Sequence, residues 1–410
     1  MHILLIHQYF LEDHEPGGSR WNEMARIWVG AGHRVTVLAG TGHYMNFPRK
    51  KSANRIEISM NANGVKVIRC HVLHGNQSFA GRLFGYLSFV FSSIWAGLFY
   101  APKKYDLILV TSPPLFTGIT ALFLSRVKKI PFLLEVRDLW PESAIETGVL
   151  TNKNLIRLSH WFEQKLYKTA RLINVVTPAF KDILIKQKNV QNGKIIFIPN
   201  AADFSLSDRA LMHFDREKFR RELGLHDQFI IIYVGAHGIA NHLVQLIDAA
   251  EKLKETNAFF LLIGDGAKKG ELENEAANRG LQNILFMDPV PKMEVFKYIS
   301  AADIGTSVLK KTDIFKTVYS NKTFDYFSCK KPVLMAIDGV SRQLVESANA
   351  GLYAEPENVA DFVAKVIVFM DNPELIKKHG ENGYRYAKAH FDRDVLAKEY
   401  LKYISELVSK

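Results

Sequence analysis

The sequence predicts an α/β protein made of two doubly wound domains. Three observations carry this. Short apolar runs alternate with helical patterns along the whole 410-residue chain. Such strands, separated by helices, indicate parallel sheets covered on both faces. The plan is then laid down a second time after "IPNAADF", Ile198–Phe204, which opens a polar stretch rich in charge. The length itself argues for about two domains.

In order, the first-half strands are Ile3–Ile6, Arg34–Leu38, Lys66–Arg69, Leu107–Thr111, Phe132–Val136, Leu172–Val176 and Ile195–Ile198. Helical periodicity lies between them, as in Arg20–Val29 and Leu155–Tyr167. The second-half strands are Ile230–Val234, Phe259–Ile263, Ile284–Phe286, Ile304–Val308 and Val333–Ile337, with a helix such as Leu243–Lys254 between them. The expected domains are 1–200 and 201–389, with a last helix at about 390–410. In doubly wound folds ligands sit at the carboxyl ends of the strands, so a central cleft faced by both domains is the default site.

The basic charge is confined to one half. Residues 1–200 hold 25 Lys and Arg against 12 Asp and Glu, a net of +13, while residues 201–410 come to −2. A basic half can meet nucleic acid, anionic lipid or a phosphorylated acceptor. No nucleic-acid module is recognisable, so no nucleic-acid partner is expected. Cys70 and Cys329 are the only cysteines, which excludes a disulfide framework and fits a reducing compartment. Met1 leads straight into a strand-like run with no charged segment before it, so no signal peptide is expected.

"FAGRLFGYLSFVFSSIWAGLFYAPKK", Phe79–Lys104, is an apolar stretch with Arg82 before it and Lys103 and Lys104 after it. It is near spanning length. Pro102 and the immediate return to a strand argue against a span. A core helix and an interfacial helix touching lipid both remain open, the second through residues such as Arg82, Phe84 and Trp95.

Five stretches could carry chemistry. "EPGGSR" places Gly17 and Gly18 between the first strand and a helix starting near Ser19. Helix N-termini bind anions through free N–H groups, and glycine lets backbone approach a ligand closely. "YVGAHG", with Gly235 and His237, and "LLIGDG", with Gly264 and Gly266, repeat that logic. Singly, each is equally a plain turn. "LLEVRDLWPESA" places Arg137 and Asp138 at a strand end, either as a structural pair or in a catalytic or substrate-orienting role. "SNKTFDYF" opens on Asn321, a good N-cap, and sets Lys322 and Asp325 one turn apart on one helical face. A carboxylate can accept both hydroxyls of a ribose, and a lysine beside a helix N-terminus can hold a diphosphate. The other reading is a simple ion pair. No G-K-[ST], G-x-G-x-x-G, H-E-x-x-H or G-x-S-x-G appears, which disfavours P-loop, dinucleotide, zinc-protease and serine-hydrolase chemistry.

These pieces, in this order and over nearly the whole chain, resemble the retaining glycosyltransferases of family 4, and most closely the bacterial WbuB-like sugar transferases. "HQYFLEDHEPGGSRWNEMARIWVGAGHRVTVLAG", "LVTSPPLFTG", "LEVRDLWPESA", "IPNAAD" and "NKTFDYFSCKKPVLMAIDG" carry the likeness, with the two glycine turns. The resemblance implies the GT-B fold, two Rossmann-like domains facing a cleft. It implies transfer of a sugar from a nucleotide diphosphate sugar, most simply UDP-linked, to an acceptor bound by the N-terminal domain. It implies no cofactor and no metal. By position, Gly17 and Gly18 would approach the donor phosphates and sugar, and Arg137 or Asp138 would lie at the sugar. Asp325 would bind the ribose, Met287 would lie beside the base, and Gly264–Gly266 would line the donor pocket.

Two departures stand out. The family's first carboxylate, eight positions before Asp325, is Thr317, and its Arg and Lys after the first strand of the second domain are replaced near Ala236 and Asn241. Lys322, helped by His237, would then hold the diphosphate, and the donor sugar would be an N-acetylated or deoxy hexose. With the basic half and the 79–100 segment, the expectation is a cytoplasmic enzyme, peripheral on an anionic membrane. It would build surface polysaccharide on a polyprenyl-diphosphate-linked saccharide. An epimerase of the same fold and an inactive nucleotide-sugar-binding subunit are the alternatives.

Overall fold

The computed structural model describes residues 1–42, 56–73, 79–102 and 104–409, without the side chains of 79, 80 and 82. The chain divides into two compact units. Met1–Glu12, Ser19–Pro199 and Asp394–Lys410 form one; Asp13–Gly18 and Asn200–Arg393 form the other.

The first unit is built on β1 (His2–Ile6), β2 (Arg34–Gly40), β3 (Ile56–Met60), β4 (Lys66–Cys70), β5 (Leu107–Ser112), β6 (Phe132–Val136), β7 (Leu172–Val175) and β8 (Ile195–Phe197). The order is β3-β4-β2-β1-β5-β6-β7-β8. β1, β5 and β6 are buried at every position, as strands covered on both faces must be. β3 was not legible as a strand. It is antiparallel to β4 on the edge, and four of its five residues are exposed. The Asn61 side chain makes the intervening turn by accepting from the Asn63 and Val65 N–H groups.

The second unit holds β9 (Phe229–Val234), β10 (Ala258–Ile263), β11 (Ile284–Met287), β12 (Ile304–Val308), β13 (Val333–Ala336) and β14 (Gly351–Tyr353). All pair in parallel, in the order β11-β10-β9-β12-β13-β14. β14 is only three residues long, too short for a sequence pattern to show. Ile231, Leu246, Phe260, Leu262, Phe362 and Phe369 are wholly or nearly buried in its core. Burial of each such side chain contributes about 1.5–3 kcal/mol. In both sheets the first strand lies between strands reached by opposite crossovers: β1 between β2 and β5, β9 between β10 and β12. The crevice at such a switch point is where doubly wound sheets bind ligands.

The last helix, Arg393–Val408, belongs to the first unit's core. Tyr400 is fully buried with its ring 6.2 Å from that of Trp21 and 5.7 Å from that of Trp28. The Trp28 indole donates to the Ala397 carbonyl at 2.9 Å.

The apolar stretch forms the helix Phe79–Phe99, and among the described residues no helix is long and apolar enough to cross a membrane. Its small residues face the helix Thr117–Lys128. A Cβ at Gly97 would meet Leu124 at 2.5 Å, and the Ser93 and Thr120 hydroxyls hydrogen-bond at 2.8 Å. Its other face leaves Phe84, Phe91, Trp95 and Phe99 more than half exposed. The helix is thus a core element on one side and an open apolar surface on the other. Of the basic flanks, the Arg82 side chain and Lys103 lie outside the described residues, and Lys104 is exposed.

Candidate functional site

In the second unit, the helix Asn321–Ser328 presents its N-terminus beside the switch point. Tyr326 fixes it there. A Cβ at Gly305 on β12 would meet the Tyr326 ring at 2.4 Å, so the glycine opens the place where the ring lies. The Tyr326 hydroxyl donates toward the Ile232 and Thr306 carbonyls and accepts from the Val234 N–H, at 3.1–3.2 Å. From behind, the helix Pro373–His390 brings two glycines close. A Cβ at Gly383 would meet Phe327 at 2.5 Å, and one at Gly380 the Lys330 carbonyl at 2.1 Å. Phe324 and Phe327 are buried, as their spacing predicts.

Two details differ from the sequence reading. Ser320, not Asn321, is the N-cap; its hydroxyl is engaged with that of Ser307 at 3.0 Å rather than capping the helix. Asn321 is the first helical residue and is exposed. Nor do Lys322 and Asp325 pair with each other. Asp325 takes the Lys292 ammonium at 2.6 Å, and both groups are largely buried. Lys292 was missed because no spacing rule links residues so far apart in the chain.

The Lys322 ammonium lies over the Tyr233 ring, 4.6 Å from its centroid, and forms no ion pair among the described residues. A Cβ built at Gly235, which has φ +147°, would lie 3.6 Å from that Nζ. Burial, opposed only by Asp325, pushes Lys322 down to about 8. A half-buried cation without a carboxylate of its own, at a glycine turn on the sheet's switch point and in the first turn of a helix, is poised for an anion.

The glycines of the neighbouring turn serve the chain itself. A Cβ at Gly264 would meet the Gly235 carbonyl at 1.8 Å, and one at Gly266 the His237 backbone at 2.6 Å. The 235–237 and 264–266 turns pack directly on one another, and the His237 N–H donates to the Asp265 carbonyl at 2.9 Å. His237, expected to help Lys322 hold a diphosphate, is a neutral ring here. Its ring is fully buried, both ring nitrogens lack a hydrogen-bond partner, and burial with the nearby Lys269 pushes it down to about 4. Met287 ends β11 and its carbonyl accepts from the Gly264 N–H at 3.0 Å. Thr317 donates its hydroxyl to the Ile314 carbonyl at 2.6 Å.

In the first unit, Arg137 and Asp138 follow β6. Asp138 is half-buried and accepts from the Ser143 hydroxyl at 2.8 Å; desolvation raises its carboxyl above the usual range. Glu135, on the strand itself, was not singled out. It is fully buried and collects Arg20 at 3.0 Å, Asn174 at 2.9 Å and the Tyr400 hydroxyl at 3.3 Å, with Arg137 at 3.9 Å. His7, at the end of β1, hydrogen-bonds Thr111 at 2.7 Å. Burial, then Arg137 and Arg69, keep it well below its ordinary pKa. The imidazole is therefore neutral, beside arginines that are themselves matched by Glu12 and Glu135. The Asp13–Gly18 segment belongs to the second unit; in it Gly17 has φ +116° and a Cβ at Gly18 would meet nothing within 4 Å, so that turn is open.

One cluster among the described residues has metal-ligand chemistry: Glu142, His160 and Glu163. Its centre is already taken by the Lys188 ammonium, which bonds Glu163 at 2.7 Å and also Glu142. It reads as an internal ion network.

Two doubly wound sheets, parallel except for the β3 edge of the first, define the GT-B class, and the protein is a glycosyltransferase. Residues 17–201 match the family model described as "Glycosyl transferase 4-like domain", and residues 215–386 the one described as "Glycosyl transferases group 1". The chain belongs to the family 4 glycosyltransferases; nothing singles out the WbuB-like branch. WcaI of Escherichia coli K12, described as a colanic acid biosynthesis glycosyl transferase, is 22% identical over 94% of this chain and 95% of its own. Sucrose-phosphate synthase from Thermosynechococcus elongatus shares the fold with a TM-score of 0.77 at 18% identity, over 100% of this chain and 99% of its own. Anabaena HepE, solved with UDP and glucose, has a TM-score of 0.73 at 16% identity, over 99% of this chain and 100% of its own.

Proposed function

We propose that the protein is a retaining glycosyltransferase of surface polysaccharide assembly. It takes an N-acetylated or deoxy hexose from a UDP-linked donor held by the second unit. It gives that sugar to a lipid-linked saccharide held by the first, at an anionic membrane surface. The half-buried Lys322 ammonium at the Gly235 turn, without an ion pair among the described residues, carries this reading. When the bond from the anomeric carbon to the diphosphate breaks, negative charge grows on the phosphate oxygens. Lys322 and the N–H groups that open the helix Asn321–Ser328 would stabilise it without a metal ion. Asp325, held in place by Lys292, would accept the ribose hydroxyls, and Met287 would lie at the base. Asp138, with its raised carboxyl, would orient the transferring sugar or the acceptor hydroxyl. The name of WcaI and the UDP in HepE support the substrate class. The exposed aromatic face of the helix Phe79–Phe99 supports the membrane.

A thermal-shift panel with uridine, guanosine and adenosine diphosphates, in EDTA, tests the donor assignment. A ligand at 100 times its Kd adds about 2.7 kcal/mol of stability. UDP alone should raise the melting temperature. A panel with no shift would return Lys322 to a structural role and remove the main support for the donor site.

A further inference from the structure

The first unit contains a cavity of about 370 Å³ that the chemistry above does not use. Its volume falls within the roughly 300–1,000 Å³ of small-ligand sites. The walls are apolar and aromatic, and come from three places. Tyr86 is on the helix Phe79–Phe99, Leu115 and Phe116 follow β5, and Leu158 and Trp161 are on the helix Lys153–Thr169. Trp140 completes them. Its ring makes an edge contact with Phe116 at 5.9 Å, and Phe116 stacks on Tyr86 at 6.1 Å. A closed core would bury such rings, yet Leu158 is 56% and Trp161 58% exposed. The cavity opens to the surface.

Its position limits what it can hold. Trp140 is two residues from Asp138, and Ser143, which donates to the Asp138 carboxylate, adjoins the lining residue Ala144. One turn of chain therefore carries both the apolar wall and the carboxylate of the candidate acceptor site. The rim is more basic than acidic: Lys165 lies 5.1 Å over the Trp161 ring and Arg157 is exposed beside Leu158, against the exposed Glu146 carboxylate between the lining residues Ala144 and Val149. Apolar walls, a basic rim and a polar reaction centre at one end complement an amphiphile with an anionic head and an apolar tail.

We propose that this cavity is the subsite for the first segment of the acceptor's prenyl chain, seating its diphosphate at the rim. The proposal rests on the reading that the acceptor is lipid-linked. It assigns acceptor selection to chain as well as sugar. Each methylene buried in the cavity strengthens binding about fourfold.

Calorimetric titration with geranylgeranyl diphosphate, against inorganic diphosphate, tests it on the whole protein. Two variants fill the cavity from its small lining residues, Ser159→Phe and Ala144→Leu. Geranylgeranyl diphosphate should bind at least about a hundredfold more tightly than inorganic diphosphate. Each variant should weaken the prenyl ligand about tenfold or more while leaving UDP affinity and the melting temperature in UDP unchanged. Equal affinities for the two diphosphates would overturn the proposal. So would variants that keep wild-type affinity for the prenyl ligand, or a protein that dimerises through this face and loses the dimer in Ser159→Phe. Failure of UDP binding in the wild type is a separate result. It would strike the donor reading and leave the prenyl titration to be judged by itself.

Discussion

UDP should bind about tenfold more weakly at pH 9 than at pH 7, and one lysine should account for it. Burial holds Lys322 at about 8 in the unliganded protein, where no carboxylate pairs with it. A diphosphate over its ammonium restores the charged form and raises the pKa above the range studied. Binding then requires the proton, and affinity falls as pH rises through 8. The protonated fraction is about nine-tenths at pH 7 and one-tenth at pH 9, a loss of about 1.4 kcal/mol. The terminal phosphate, with a second pKa of about 6, is already about nine-tenths fully ionised at pH 7, so its opposing slope is small beside that of the lysine. Titration calorimetry in EDTA at pH 7, 8 and 9 reads the effect. Lys322→Met should weaken binding at pH 7 by about 1.5–3 kcal/mol, the worth of a charged hydrogen bond, and should abolish the slope. Lys331, also brought to about 8 by burial, is the control, because its neighbours are Arg216 and Asp303. Lys331→Met should keep the slope. A slope that survives in Lys322→Met, or a flat wild-type profile, would refute the reasoning. In the unliganded protein the sign reverses. The folded lysine loses its proton before the unfolded one, so its contribution to stability rises from about pH 8 toward 10.5.

Three further outcomes are expected. Lys292→Met leaves the Asp325 carboxylate largely buried without its ammonium, and should lower the unfolding free energy by about 3 kcal/mol in denaturant titration, whereas changing both partners together should cost less. Gly264→Ala, whose Cβ would strike the Gly235 carbonyl, should cost several kcal/mol or prevent folding, while Gly18→Ala should keep its stability within about 0.5 kcal/mol because nothing lies near that Cβ. Replacing Phe91 and Trp95 with serine should leave the melting temperature nearly unchanged, since both are more than half exposed, but should reduce flotation with anionic vesicles; retained flotation would count against the membrane face.

The sheets were legible because, β3 apart, their strands are parallel and mostly buried, so each is an apolar run between helices. β3 escaped although Ile56–Met60 alternates apolar and polar residues, because an antiparallel, mostly exposed edge strand falls outside the alternation of buried strand and helix. At the candidate site, sequence placed Lys322 and Asp325 on one helical face and left a ligand clamp and a simple ion pair as the two readings. The fold paired Asp325 with Lys292 across 33 residues, and that separation left Lys322 to the Tyr233 ring. The glycine motifs were read as room for a ligand. At 264 and 266 the room is filled by another loop, which only the assembled backbone can reveal. His237 was read as a helper of Lys322 from its place in a glycine turn; that its ring is buried and kept neutral follows only from the packing around it. The apolar cavity gathers residues from segments 83–87, 115–119, 140–150 and 155–162, whose proximity no local pattern encodes.

The helix Arg393–Val408 also sets an order of events during synthesis. Tyr400 packs against both Trp21 and Trp28, whose rings also touch each other, and reaches the buried Glu135, so the first unit lacks part of its core until residues near 400 have left the ribosome. By then residues 200–393 have all been made. The half that begins first is therefore completed last, and its unfinished aromatic cluster stays wet for most of translation. A fragment ending at Pro199 would keep that defect permanently and should aggregate. The same fragment given residues 394–409 as a separate peptide should recover its tryptophan fluorescence, since the missing wedge need not be covalently attached to fit.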